Sequence, residues 1–172
     1  RTFWKKNDTK ACLAEVKRLI RVSEKREKVT LRNVGKINRD SYRIEKLVIE
    51  RKGELPMPAL LFVPAGDARV KRTATLYADG RGKASGAAAG GETEKLVRDG
   101  HIVLSVDLRG FGETADRGSD KKYCNREHRV ANLAMHIGRP LLGQRVDDLL
   151  AAADVLSRRD GVKVVHLVGL HD

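Results

Sequence analysis

His101–Thr114, HIVLSVDLRGFGET, decides the fold of this chain. An apolar, β-branched run from Ile102 to Val106 ends in Asp107 and breaks into a glycine-punctuated turn, Arg109-Gly-Phe-Gly-Glu-Thr114. Such a run, bounded by glycine, reads as a strand buried on both faces, the central strand of a parallel sheet. In sheets of that kind, ligands gather just past the carboxyl ends of the strands.

Around this stretch, strands alternate with helices. Thr73–Ala78 is a strand, Asp79–Gly91 a Gly/Ala-rich loop, and Glu92–Asp99 a short helix closed by Gly100. A long basic loop, Arg109–Arg129, follows the central strand, then a helical stretch Val130–His136 broken by Gly138-Arg-Pro140. Gln144–Arg158 places Val146, Leu149, Leu150, Ala153 and Leu156 on one helical face, and Val162–Val168 reads as another buried strand. This alternation implies right-handed crossovers and a parallel sheet. Upstream, Tyr42–Glu50 and Ala59–Val63 flank a Lys52-Gly53-Glu54 turn and predict an antiparallel hairpin, with Pro56 and Pro58 at the start of its second strand, a placement that proline tolerates best at an edge. Thr9–Val22 carries Cys12, Val16, Leu19 and Ile20 at helical spacing, with Asp8 or Thr9 as N-cap. The expected division is residues 1–40 as an N-terminal helix and basic linker, and 41–172 as one α/β unit.

The 172 residues are 41% hydrophobic but only 4% aromatic, so aliphatic side chains must build the core. No apolar run approaches the roughly 18 residues of a membrane span. The sequence starts at Arg1 without a signal peptide, which suggests a processed or excised segment and leaves the compartment open. The net charge of +12 admits an anionic polymer as partner. No nucleic-acid module signature accompanies it, so a solvated basic surface is the simpler reading and nucleic acid is disfavoured. Cys12 and Cys124 lie far apart and read as free thiols. His101, His128, His136 and His166 share no metal-ligand spacing, so neither metal nor cofactor is expected. Asp147-Asp148 reads as a solvated helix face.

Gly80-Arg-Gly82-Lys-Ala-Ser-Gly86 approaches a dinucleotide loop, with Asp107 placed to take a ribose hydroxyl. Position 85 is serine where that pattern has its third glycine, and the next helix opens only after Gly91. A nucleotide-binding oxidoreductase is therefore the weaker reading. A phosphate-binding P-loop fails, because Ala84 stands where Ser or Thr should bind magnesium.

The order of elements, with RIEKLVIE…PMPALLFVP (Arg43–Pro64), GGETEKLVRDGHIVLSVDLRGFGET (Gly90–Thr114) and GRPLLGQRVDDLLAAADVL (Gly138–Leu156), resembles the α/β-hydrolase superfamily in its acetyl xylan esterase-like, dienelactone-hydrolase-related branch. The resemblance covers Ser41 to the end. It implies a three-layer α/β sheet, mostly parallel with an N-terminal antiparallel hairpin, truncated after about the fifth strand. It further implies ester hydrolysis of an acylated carbohydrate or another small ester, in a protein that could be secreted or periplasmic. The remaining strands are expected from the rest of a larger protein or from a second chain.

Within the resemblance, the loop after the third strand, Asp79-Gly80-Arg81-Gly82, corresponds to the oxyanion loop, where backbone N–H groups meet a developing negative charge. Asp79 there opposes an oxyanion, and Arg81 offers positive charge instead. The turn after the fifth strand corresponds to the nucleophile elbow, Gly-x-Ser-x-Gly. Here it reads Gly169-Leu170-His171-Asp172, which places His171 at the nucleophile position. An imidazole does not replace the activated hydroxyl of an acyl-enzyme mechanism. The triad acid and base would follow Asp172. Asp107, Arg109 and Gly110 border the site and are expected to hold their turn by side-chain to backbone bonds.

Overall fold

The computed structural model describes residues 2–67, 70–116 and 126–170. In chain order these form α1 (Thr2–Lys6), α2 (Thr9–Ile20), β1 (Val29–Asn38), β2 (Tyr42–Arg51), β3 (Met57–Pro64), β4 (Arg72–Asp79), α3 (Glu92–Arg98), β5 (Ile102–Val106), α4 (Arg126–His136), α5 (Leu141–Ser157) and β6 (Val162–Leu170). The strands make one sheet in the order β1-β2-β3-β5-β4-β6. β1, β2, β3 and β5 pair antiparallel in turn, whereas β4 is parallel to both β5 and β6.

The two-residue side-chain period divides the core between the two faces of the sheet. Ala74, Leu76 and Ala78 of β4 and Ile102, Leu104 and Val106 of β5 face Ala152 and Leu156 of α5. Tyr77 and Val103 point the other way, with Tyr42, Ile44 and Phe62, onto Val97 of α3. The helices therefore cover opposite faces, giving the three layers expected. All five residues of β5 are buried, as its unbroken apolar run requires.

Several expectations needed correction. Residues 29–38, read as linker, form edge strand β1. Its alternation is broken by a bulge between Asn33 and Gly35, where the Asn33 side chain accepts the Gly35 N–H at 3.0 Å. β1 enlarges the antiparallel part of the sheet and makes the strand expected to be fifth the sixth, β6. β3 is not an edge strand but lies between β2 and β5. Pro58 is tolerated because its carbonyl accepts from Asp107 N at 2.9 Å, beyond the end of β5. Its missing N–H falls on that same side, where the partner strand has stopped. β6 is not buried: it pairs with β4 alone among the described residues, and Val164 and Leu167 are 43% and 61% exposed.

The helices follow the expected capping. Asp8 accepts the Ala11 N–H at 2.8 Å and opens α2. On α5 the fully buried face is centred on Leu141, Gln144, Asp148, Ala152 and Leu156; of the expected stripe, Leu149 and Ala153 also pack against this core, whereas Val146 and Leu150 are only half-buried. Asp148 is 2% exposed, so the expected solvated acidic face is corrected for this residue, which is drawn inward by buried arginines.

Candidate active site

The loops after β4 and β5 and the end of β6 converge at the carboxyl end of the parallel strands. The β4–β6 register sets Ala78 opposite Gly169 and Asp79 opposite Leu170. The ladder runs one step further, with Gly80 N donating to the Leu170 carbonyl at 3.0 Å. The two segments singled out from sequence are thus neighbours. His171 and Asp172 lie outside the described residues, as does Cys124. Cys12 is a free thiol.

Asp79 is 4% exposed and is neutralised locally. Its carboxylate accepts from Arg81 N at 2.8 Å, Arg81 Nε at 3.1 Å and Arg81 Nη2 at 2.9 Å. The Arg81 guanidinium, foremost among several bonds, holds the Asp79 carboxyl below its ordinary value. Gly82 N donates to the Asp79 carbonyl at 2.8 Å. The N–H groups of Gly80, Arg81 and Gly82 are therefore all engaged, and an oxyanion arriving here would compete with these bonds.

The turn after β5 wraps around the Asp107 carboxylate, which is 1% exposed. It accepts from Lys83 N at 2.6 Å, Glu113 N at 3.0 Å and Lys83 Nζ at 2.6 Å. Lys83 also pairs with Glu113. Burial alone would depress the Lys83 ammonium, but its bonds to Asp107 and Glu113 outweigh burial and raise its pKa. Glycine is required where these loops touch. Gly112 has φ +54°, and a Cβ there would collide with the Asp107 carboxylate; one on Gly82 (φ +94°) would lie 2.6 Å from Gly112 Cα.

Arg109 does not make the side-chain to backbone bonds expected of it. Its guanidinium, buried beneath the turn, binds Asp148 through Nε at 2.9 Å and Nη2 at 3.1 Å, and Gln144 Oε1 through Nη1 at 2.6 Å. Glu54 of the β2–β3 turn completes its shell, and Arg51 pairs with Asp148 from the other side. Burial raises Glu54, but hydrogen bonds from Arg109 and Arg139 bring its pKa below the ordinary value. Beside Gly110 (φ +82°), Arg145 donates to the Arg109 carbonyl at 2.9 Å and stacks over Phe111 at 4.0 Å. These contacts make Asp107, Arg109 and Gly110 the frame of the turn.

Sequence reasoning missed Lys83, Glu113, Glu54, Gln144 and Asp148. For the last two a signal existed. Leu141, Gln144, Asp148 and Ala152 recur at helical spacing, so a polar pair occupies the middle of a buried stripe. Among the described residues no cluster of His, Cys, Asp and Glu could hold a metal, and no helix is long and apolar enough to cross a membrane. α3 opens at Glu92 behind Gly91, so its N-terminus is remote in sequence from the Gly80–Gly82 turn.

An antiparallel lead-in and a β5-β4-β6 parallel core with helices on both faces are matched in solved structures. A candidate acetyl xylan esterase from Bacteroides fragilis superposes with a TM-score of 0.74 at 16% identity, over 93% of this chain and 46% of that one. The fold is that of the α/β-hydrolases. Acetyl xylan esterase 1 from Thermoanaerobacterium sp. JW/SL YS485 matches with a TM-score of 0.61 at 20% identity, over 83% of this chain and 44% of that one. An acetyl xylan esterase from Paenibacillus sp. R4 matches with a TM-score of 0.56 at 19% identity, over 95% and 52%. The chain thus spans about half the length of these α/β-hydrolase structures, and at such identities the likeness is one of fold. No protein-family model and no curated protein matches the sequence.

Proposed function

We propose that this chain is the N-terminal half of a carbohydrate-esterase-type α/β-hydrolase domain, in a member that has lost the serine acyl-enzyme route. An acylated carbohydrate or other small ester is the substrate class to which its site descends. The observation that carries this reading is Gly169-Leu170-His171-Asp172, whose first two residues end β6 beside Ala78, Asp79 and Gly80. With His171 at the elbow, no hydroxyl is available there for acyl transfer. The engaged N–H groups of Gly80, Arg81 and Gly82 and the Asp79 carboxylate beneath them support the same reading, because an oxyanion site needs unengaged donors and no adjacent anion.

The test is incubation of the full-length protein with an aryl acetate and with a serine-directed phosphonate. Neither burst turnover nor covalent labelling is expected. Robust turnover with stoichiometric labelling of a serine would overturn the proposal.

A further inference from the structure

We propose that α2, with the apolar surface beside it, docks this protein onto an anionic lipid surface. Leu13, Val16 and Leu19 of α2 are 52%, 39% and 53% exposed, and the helix has no buried residue. It is held at its C-terminal end, where Ile20 and Arg21 pack against Gly143 and Gly138 and Ser23 N donates to Asp147 at 3.0 Å. The residues next to those glycines, Leu142 and Ile137, are themselves 60% and 70% exposed. Apolar surface therefore continues from α2 across the α4–α5 turn.

Cations line this surface. Lys10 and Lys17 lie at i and i+7 on the flank of α2 beside Leu13, Arg21 caps its C-terminus, and Lys5 and Lys6 close α1 next to Trp4. None of these five has an ion-pair partner among the described residues. Residues 2–28 hold nine lysines and arginines against four carboxylates, and Glu15 is already bound by Arg18 at 2.7 Å. An exposed apolar stripe flanked by lysine and arginine, with a tryptophan at its end, suits a helix lying in the interface plane of a bilayer. A polyuronate or nucleic acid would satisfy the cations but has no apolar layer to receive Leu13, Val16 and Leu19. A bilayer rich in anionic headgroups meets both.

The full-length protein is mixed with vesicles of equal parts phosphatidylglycerol and phosphatidylcholine, and with pure phosphatidylcholine vesicles. Co-sedimentation with the anionic vesicles alone is expected, with loss of binding at high salt and a blue shift of emission that Trp4→Phe removes. Leu13→Glu with Leu19→Glu changes two water-exposed side chains, so the melting temperature holds while anionic-vesicle binding falls by more than about tenfold. Replacing Lys10, Lys17 and Arg21 with Gln weakens it as well. Absence of binding at low salt would overturn the proposal, as would binding indifferent to the leucine changes or equal competition by polyuronate. So would a Trp4 emission already blue-shifted without lipid, or dimerisation through Leu13 and Leu19, since either means that protein covers this face.

Discussion

The Lys83 ammonium lies 2.6 Å from the Asp107 carboxylate, with the two side chains only 8% and 1% exposed. Lys83 comes from the loop after β4 and Asp107 from the end of β5, so this pair fastens together the two loops that border the candidate site. Removing one partner of a buried pair leaves a charge without compensation. Asp107→Ala also orphans the N–H groups of Lys83 and Glu113. A loss of about 3–5 kcal/mol is expected in urea unfolding. Lys83→Met leaves those N–H bonds intact and should cost less.

Asp147 and Asp148 are adjacent on α5 but face different surroundings. Asp148 binds Arg109 and Arg51 in the interior, so Asp148→Ala should cost about 3–5 kcal/mol. Asp147 accepts one N–H, that of Ser23, and Asp147→Ala should cost about 1 kcal/mol. Its larger effect should be faster amide exchange in the segment joining α2 to β1.

Two glycines of positive φ offer a clean comparison. Gly53 (φ +75°) would meet nothing within 4 Å if it gained a Cβ, so Gly53→Ala carries only the backbone term, about 1 kcal/mol. Gly112→Ala adds a collision with the Asp107 carboxylate and should be several-fold more destabilising. Equal melting temperatures for the two variants would contradict the packing of the turn around Asp107.

Glu94 is held down to about 2, from an ordinary 4.5, first by the Gly90 N–H and then by Arg98 and the Tyr42 hydroxyl. A carboxylate depressed in the folded state stabilises it above the unfolded value, and the contribution is lost as pH falls from about 4.5 through about 2. Asp79 acts in the same direction below its ordinary 3.8, through Arg81. Carboxyl carbon NMR should find both titrating low. Arg81→Gln should raise the Asp79 midpoint and shift acid unfolding to higher pH.

The parallel core was legible because β4 and β5 are short apolar runs closed by glycine, and α5 keeps a helical period from end to end. β1 was not, because a bulge interrupts its alternation and its face is mostly solvated. β6 was misjudged because apolar content alone does not say whether a neighbour covers it. At the candidate site, Asp107, Arg109 and the Asp79–Gly82 loop could be read locally. Their partners Lys83 and Glu54 could not, since an ion pair between residues distant in sequence leaves no spacing to detect. The exception is Gln144 and Asp148, whose place in a buried stripe marks them as held inward.

The two halves of the sheet also differ in how far their partners must travel. β1 pairs with β2, and β2 with β3, across short turns, as Ile44↔Phe62 illustrates. β6 reaches β4 only after three helices and another strand have been laid down, as in Leu76↔Leu167. Loop closure of that length slows pairing, so the antiparallel meander should assemble early and β6 should dock last. In a pulse-labelling experiment, the amides of Tyr42–Pro64 would gain protection before those of Val162–Leu170. The end of β6 would then be the final piece of the candidate site to arrive, after the Asp107 turn has already closed around Lys83.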